Sequence, residues 1–121
     1  MRNPERRRRR GTTITESLRY QLEACCQDGR LEAMVLSDED GLPLAMTGLC
    51  DEVAAKMAVI GARIREFNGT LLEAGNKWDV QMLKIPIDGS ELLVCAVGGN
   101  AEQRKRQIAR GAAGAARILA A

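Results

Sequence analysis

The segment Leu92–Val97, LLVCAV, has no polar position. Side chains on a strand point alternately to the two faces of a sheet, so a strand that is apolar throughout needs cover on both faces and belongs in the middle of its sheet. With 121 residues, a chain holding such a segment has room for one layered domain with a real core and not for two. The flanking sequence must therefore supply two covering layers.

It supplies three helical patterns. Thr13 and Glu16 have the spacing of a capping box, and Ile14, Leu18, Leu22 and Cys25 recur at helical intervals up to Gly29, where glycine can take the left-handed terminating conformation. From Asp51 to Asn68 a second apolar seam runs through Val53, Met57, Ile60, Ile64 and Phe67. Beside that seam lies a stripe of small residues, Ala54, Ala58, Gly61 and Ala62. A helical glycine costs about 1 kcal/mol relative to alanine, so close approach of another backbone, from this chain or from a partner helix, should offset it. Asn100 with Gln103 caps a last helix, lined by Ile108, Ala112, Ala115 and Leu119. Its charges, Arg104, Lys105, Arg106, Arg110 and Arg117, read as a solvated face or as a basic patch for an acidic partner.

Strands fill the intervals. Leu31–Ser37 and Leu42–Met46 flank an acidic turn ending in Asp40-Gly41, where positive φ is cheap. Pro43 has no amide hydrogen, which makes the second strand an edge or leaves that position unpaired. Thr70–Ala74 and Trp78–Ile87 flank Gly75-Asn76, and Asp88-Gly89 leads into the apolar strand. Along Trp78–Ile87 the apolar phase changes near Met82, as a bulge or burial on both faces would require, and Pro86 falls inside this strand. The order is α-β-β-α-β-β-β-α, an α+β fold: a five-stranded antiparallel sheet in a three-layer sandwich, with the second helix on one face and the terminal helices on the other.

Charge divides the chain. Residues 1–10 hold 6 of the 18 basic residues and 1 of the 16 acidic ones, so the rest carries 12 basic against 15 acidic and a net charge of −3. Residues 1–11 are expected to form a disordered arginine-rich arm, since adjacent like charges repel and nothing apolar is there to bury, and residues 12–121 the folded domain. The body lacks the basic face of a nucleic-acid-binding domain. Nucleic acid or anionic lipid could be met only through residues 1–10, with Arg6, Arg7, Arg8, Arg9 and Arg10 as an electrostatic tether. The arm is not followed by the apolar stretch of a signal peptide, and no run approaches the ~20 residues of a membrane span, so a cytoplasmic location is expected.

Enzymatic chemistry has little to work with. The chain has no histidine, which removes Ser-His-Asp and Cys-His systems. Cys25, Cys26, Cys50 and Cys95 show no CxxC spacing for a zinc set, and the vicinal Cys25 and Cys26, inside a helical pattern, read as small buried apolar residues of a reduced protein rather than as a redox pair. No phosphate-binding loop is present; VGGNAEQ at 97–103 reads as a strand-to-helix connection. Asp38, Glu39 and Asp40 lack the alternating ligands of a calcium loop and read as a solvated turn. No catalytic residue, metal or cofactor is expected.

The stretch VLSDEDGLPLA, with a helix before it and DEVAAKMAVIGARIREF after it, resembles the signature of the Roadblock/dynein light chain family, and the likeness runs in order from about Thr13 to Leu119. The resemblance implies a homodimer, or a heterodimer with a family paralogue, in which second helices pack together and third strands join two sheets. The matching positions here are Ala54, Ala58, Gly61 and Ala62 on the helix and Thr70, Leu71, Leu72 and Glu73 on the strand. It further implies a Ras-like small GTPase as partner, bound by a scaffold or by a GTPase-activating regulator, in bacterial systems one that repositions the GTPase's own catalytic residues. Lys56, Arg63 and Arg65 are the candidate partner contacts. Two other classes fit the same sequence: a profilin- or PAS-like domain sensing a small ligand, and a nucleic-acid adaptor working through the arm.

Overall fold

The structure, a computed structural model, describes residues 4–48, 51–73, 75–87 and 89–120, and the backbone alone of residues 4–12, 51, 52 and 73. Cys50, Ala74 and Asp88 lie outside them. The elements are α1 (Pro4–Gly29), β1 (Ala33–Ser37), β2 (Pro43–Thr47), α2 (Asp51–Gly61), β3 (Glu66–Glu73), β4 (Asn76–Ile87), β5 (Ser90–Val97) and α3 (Ala101–Ala120). The strands form one antiparallel sheet in the order β2-β1-β5-β4-β3. None of these helices is long and apolar enough to cross a membrane.

β5 occupies the centre, as its composition demands. Leu92, Val94 and Ala96 point to one face, where α1 and α3 bring Leu18, Leu22, Cys25, Ile108 and Ala115. Leu93, Cys95 and Val97 point to the other, against Val53, Ala54 and Met57 of α2. Each strand position thus feeds one of two separate cores, and α+β with three layers is the observed architecture.

β4 shows why its apolar phase changes. Its pairing with β3 and β5 is regular throughout, so there is no bulge. Trp78, Val80 and Met82 lie under α2, whereas Leu83, Ile85 and Ile87 face α1 and α3. Each half of the strand is covered on the side where a helix lies. Pro86 fits the same geometry. Lys84 N–H donates towards β3, to Arg65 O at 2.8 Å; Pro86, two residues on, faces the same way beyond the end of β3, whose pairing stops at Glu66–Leu83. No strand there needs its missing hydrogen. Pro43 sits on edge strand β2, where the register shifts beside Ser37.

α1 departs from the expected start at Thr13. It continues back through the arginine run to Pro4, because arginine is a good helix former and proline suits a first helical position. Its end also differs. The left-handed residue is Arg30, φ 53°, and not Gly29. Leu31 N–H donates to Cys26 O and Arg30 N–H to Gln27 O, the paired bonds of a Schellman motif whose left-handed position is Arg30. Gly29 serves packing instead: a Cβ there would stand 2.6 Å from Gln107 Cγ of α3.

Asn100 caps α3 through Oδ1, which accepts Gln103 N–H at 2.8 Å. Arg104, expected on a solvated face, is only 7% exposed. Its Nη1 donates to Gly98 O at 2.8 Å and Gly99 O at 3.0 Å, so the guanidinium satisfies carbonyls that the left-handed glycine pair turns inward. Cys25 is buried, and burial pushes its thiol up, which suits a packing residue and not a nucleophile.

Two neighbouring substitutions should therefore act in opposite directions. Arg30→Gly relieves a left-handed non-glycine residue and should raise stability by up to about 1 kcal/mol. Gly29→Ala should destabilise by about 1–3 kcal/mol by overpacking against Gln107. Urea denaturation of both variants checks the pair.

Candidate interaction surface at α2 and the β3 edge

α2 is shorter than its apolar spacing predicts. It ends at Gly61 rather than Asn68, and the chain leaves through a turn in which Arg63 and Ile64 N–H both donate to Ile60 O. Ile64 and Phe67, assigned to the helical seam, are off the helix. Phe67 is on β3 opposite Met82, and Asn68-Gly69, expected to end a helix, is mid-strand opposite Gln81 and Val80. A stretch with apolar residues at 64, 67, 69 and 71 fits either period in part; the free side of β4 decides it, since the pairing made along Glu66–Glu73 satisfies backbone groups that a longer helix would leave β4 without.

The small stripe of α2 faces its own chain. Ala54 is buried in the core beneath the helix. Ala58 meets Gly41 of the β1–β2 turn, where a glycine Cβ would come within 2.5 Å of the alanine methyl, and Gly61 lies on Leu93, 2.7 Å from where its own Cβ would stand. Only Ala62, past the end of α2, is exposed. The stripe lets α2 settle on the sheet and on the hairpin, which accounts for Gly61 without a partner helix. The outward row is Ala55, Lys56 and Val59, and Val59, 67% exposed, is a large apolar residue turned to solvent. Sequence reasoning missed it; belonging to neither apolar stripe was its signal.

Thr70, Leu71, Leu72 and Glu73 are on β3, the outermost strand. Arg65 O accepts from Lys84, so by the alternation of an antiparallel ladder Phe67, Gly69 and Leu71 bond to β4 while Glu66, Asn68, Thr70 and Leu72 direct their backbone groups outward. Leu71 and Phe67 pack towards α2, whereas Thr70 Oγ1 bonds Asp79 on the opposite face at 3.0 Å. Leu72 is 71% exposed.

Of the basic candidates, Lys56 and Arg63 lie on the exposed side of α2 and its following turn. Arg65 is engaged: it pairs with Glu91 at 2.6 Å, and Lys84 stands 3.7 Å from the same carboxylate. Lys84 Nζ also donates to Gly61 O, the last carbonyl of α2, at 3.2 Å. Glu91 N–H in turn donates to Glu39 of the hairpin turn at 3.0 Å. Glu91 thereby connects the end of α2 and the approach to β3 through its carboxylate, and the acidic turn through its backbone N–H. The turn itself is closed by Asp38 Oδ1, which accepts Asp40 and Leu42 N–H, both at 2.9 Å. Arg6 to Arg10 fall in the first turns of α1. Among the described residues no group of His, Cys, Asp and Glu could hold a metal ion.

An edge strand beside a helix with an exposed face, on a β2-β1-β5-β4-β3 sheet backed by two helices, can be compared with known proteins. No family profile and no curated protein sequence matches the chain. Solved structures do. The gliding protein MglB of Thermus thermophilus is 19% identical over 87% of this chain and 90% of its own, with a TM-score of 0.62. An MglB in a tetrameric arrangement is 20% identical over 87% and 89%, with a TM-score of 0.63. A Roadblock/LC7 domain from Streptomyces avermitilis is 16% identical over 85% and 98%, with a TM-score of 0.58. The chain has the Roadblock/LC7 fold. At these identities the likeness is one of fold, and it spans nearly the whole of each Roadblock/LC7 neighbour.

The Glu91 carboxyl is held below its ordinary value near 4.5 by the hydrogen bond from Arg65, aided by the charges of Arg65 and Lys84. A lowered folded-state value contributes stability that is complete above the unfolded value and disappears as pH falls through the folded one. Glu91→Gln should therefore lower the urea midpoint at neutral pH, with the gap from wild type closing on acidification. A gap that persists unchanged in strong acid would assign it to lost packing.

Proposed function

We propose that the chain is a non-catalytic cytoplasmic module that pairs with a second copy, or with a paralogue, along β3 and the outward face of α2. The joined surface then binds and regulates a Ras-like small GTPase. The observation that carries the reading is the β3 edge: eight residues long, regularly paired to β4 on one side only, with Glu66, Asn68, Thr70 and Leu72 offering backbone groups on the other. An exposed regular edge is a template for another strand. Pairing about a two-fold axis satisfies both edges at once and closes the assembly.

Val59 supports the same surface, since an exposed valine beside an open edge gains from cover. The Roadblock/LC7 fold, shared with the gliding protein MglB and with an MglB in a tetrameric arrangement, agrees with self-association. The DGLPLA hairpin, through its resemblance to GTPase-binding members of the family, supplies the partner class.

The mechanism would be positional. Phosphoryl transfer depends on orientation and on charge placed around the transferred group, and a rigid two-subunit platform can order a GTPase's own catalytic segments without lending a side chain to the reaction. Lys56 and Arg63 flank the outward face and would meet acidic residues of the GTPase. The structural stripe Ala54, Ala58 and Gly61 contributes by seating α2 firmly on its own sheet.

Thr70→Pro removes an outward N–H that β4 does not use, and Val59→Glu places a charge where cover is expected. Each should halve the mass of the assembly in sedimentation velocity while leaving the circular dichroism spectrum unchanged. With a cognate Ras-like GTPase carrying a GTP analogue, the wild type should co-elute and change the hydrolysis rate of GTP, and both variants should lose the effect. Variants that both keep the wild-type mass refute the edge pairing.

A further inference from the structure

A second surface lies at the pole of the sheet where β1 turns into β2 and β4 into β5. An open pocket of about 500 Å³ is found there on the α1/α3 side. Leu44, Ile87, Leu92 and Leu119 form its apolar part, and Asp38, Glu39, Asp40 and Glu91 its charged part. Among the described residues the pocket lining includes no basic side chain, although Arg65 and Lys84 reach Glu91 from outside it. Leu119 brings the C-terminal turn of α3 to the same place, and the carbonyls of a helix end add negative potential.

The chemistry of such a pocket is that of an arginine receptor. An arginine side chain lays an apolar stem along leucine and carries a planar fork that donates to carboxylates along two edges. The chain holds one dense source of this group, Arg6–Arg10, and α1 delivers it to the same pole. α1 and α3 run antiparallel: Asp28 pairs with Arg110, Cys25 lies beside Gly111 and Gln21 beside Gly114. Continuing that register puts Leu119 next to about residue 17. The arginines then project roughly 10–16 Å past it along the helix, at about 1.5 Å per residue. A continuous helix cannot fold back into its own pocket. A second copy approaching antiparallel can reach it.

We propose that the arginine run of one copy docks in the apolar, carboxylate-rimmed pocket of another, reciprocally, with stems on Leu44 and Leu119 and guanidinium groups on Glu39 and Asp40. The contact is isologous and uses neither α2 nor the β3 edge, so it adds to the edge pairing and does not depend on it. Asp40 is its most available acid, since Asp38 Oδ1 closes the turn and Glu39 Oε1 holds Glu91 N–H.

The test is sedimentation velocity of the full chain carrying Thr70→Pro, which silences the edge so that remaining association reports on the pole. Three samples are compared: this background, the same with Glu39→Lys and Asp40→Lys, and the same with Arg7→Glu, Arg8→Glu and Arg9→Glu. The background should associate at low salt and dissociate in about 1 M NaCl, where screening acts within about 3 Å. Each charge reversal should weaken association at least tenfold, and an equimolar mixture of the two reversed proteins should regain it. A background that is already monomeric at low salt overturns the pole contact while leaving the edge pairing intact. Failure of the mixture to regain association also overturns it. So does an arm that binds duplex DNA or phosphatidylserine vesicles while self-association is indifferent to both reversals.

Discussion

Burial of both faces of β5 is the constraint on which the remaining structure depends. Leu92, Val94 and Ala96 hold one core together and Leu93, Cys95 and Val97 the other, so the strand cannot be an edge and the sheet cannot be left with one bare face. Burying apolar area is the main favourable term in folding, and this segment requires it twice within a few residues. The neighbours follow from that. β1, buried at every position, flanks it on one side, β4 flanks it on the other, and the positions left for edges fall to β2 and β3.

Much of this was legible because it rests on residues whose local chemistry allows few alternatives. The all-apolar run places β5 at the centre, Pro43 sends β2 to an edge, Asp40-Gly41 closes the hairpin with Gly41 at positive φ, and Asn100 caps α3. Errors arose where two periods fit the same residues. Ile64 and Phe67 continue a helical seam from Val53, yet Phe67 also alternates with Gly69 and Leu71 as a strand does, and the choice is made by pairing with β4 beyond the turn at Gly75, which leaves Ile64 in the turn that follows α2. Gly29 and Gly61 illustrate a second limit. A small residue in a helical pattern reports that something comes close, but not what. Here the neighbours are Gln107 and Leu93 of the same chain, whereas the spacing of Gly61 with Ala54 and Ala58 suited a partner helix equally well. The arginine run was legible as charge alone; that it continues α1 depends on helix propensity winning over repulsion between like side chains.

The candidate surface was expected on the small stripe of the second helix and on the third strand. On α2 the outward row is Ala55, Lys56 and Val59, and on β3 the outward backbone belongs to Glu66, Asn68, Thr70 and Leu72. Arg65 stays on the surface but is paired with Glu91, whose carboxylate it shares with Lys84, and Lys84 in turn supplies the cation at the end of α2 by donating to Gly61 O. The same carboxylate residue receives the hairpin through Glu39. Position of α2 relative to β3 is therefore set by a polar cluster at one end and by Gly61 against Leu93 beneath it, two features that a composition-level reading has no means to connect.

The two edges of the sheet are treated differently, and that difference bears on function more directly than any single residue does. β2 is five residues long, carries Pro43 and shifts register beside Ser37, all of which discourage pairing with another chain. β3 is eight residues long, pairs regularly along its whole length and contains neither proline nor lysine. A protein that needed to stay alone would protect the longer edge first. Protection of the short edge with exposure of the long one is what a chain requires if one particular side of its sheet is to be continued by a neighbour, with α2 and Val59 alongside to make that neighbour specific.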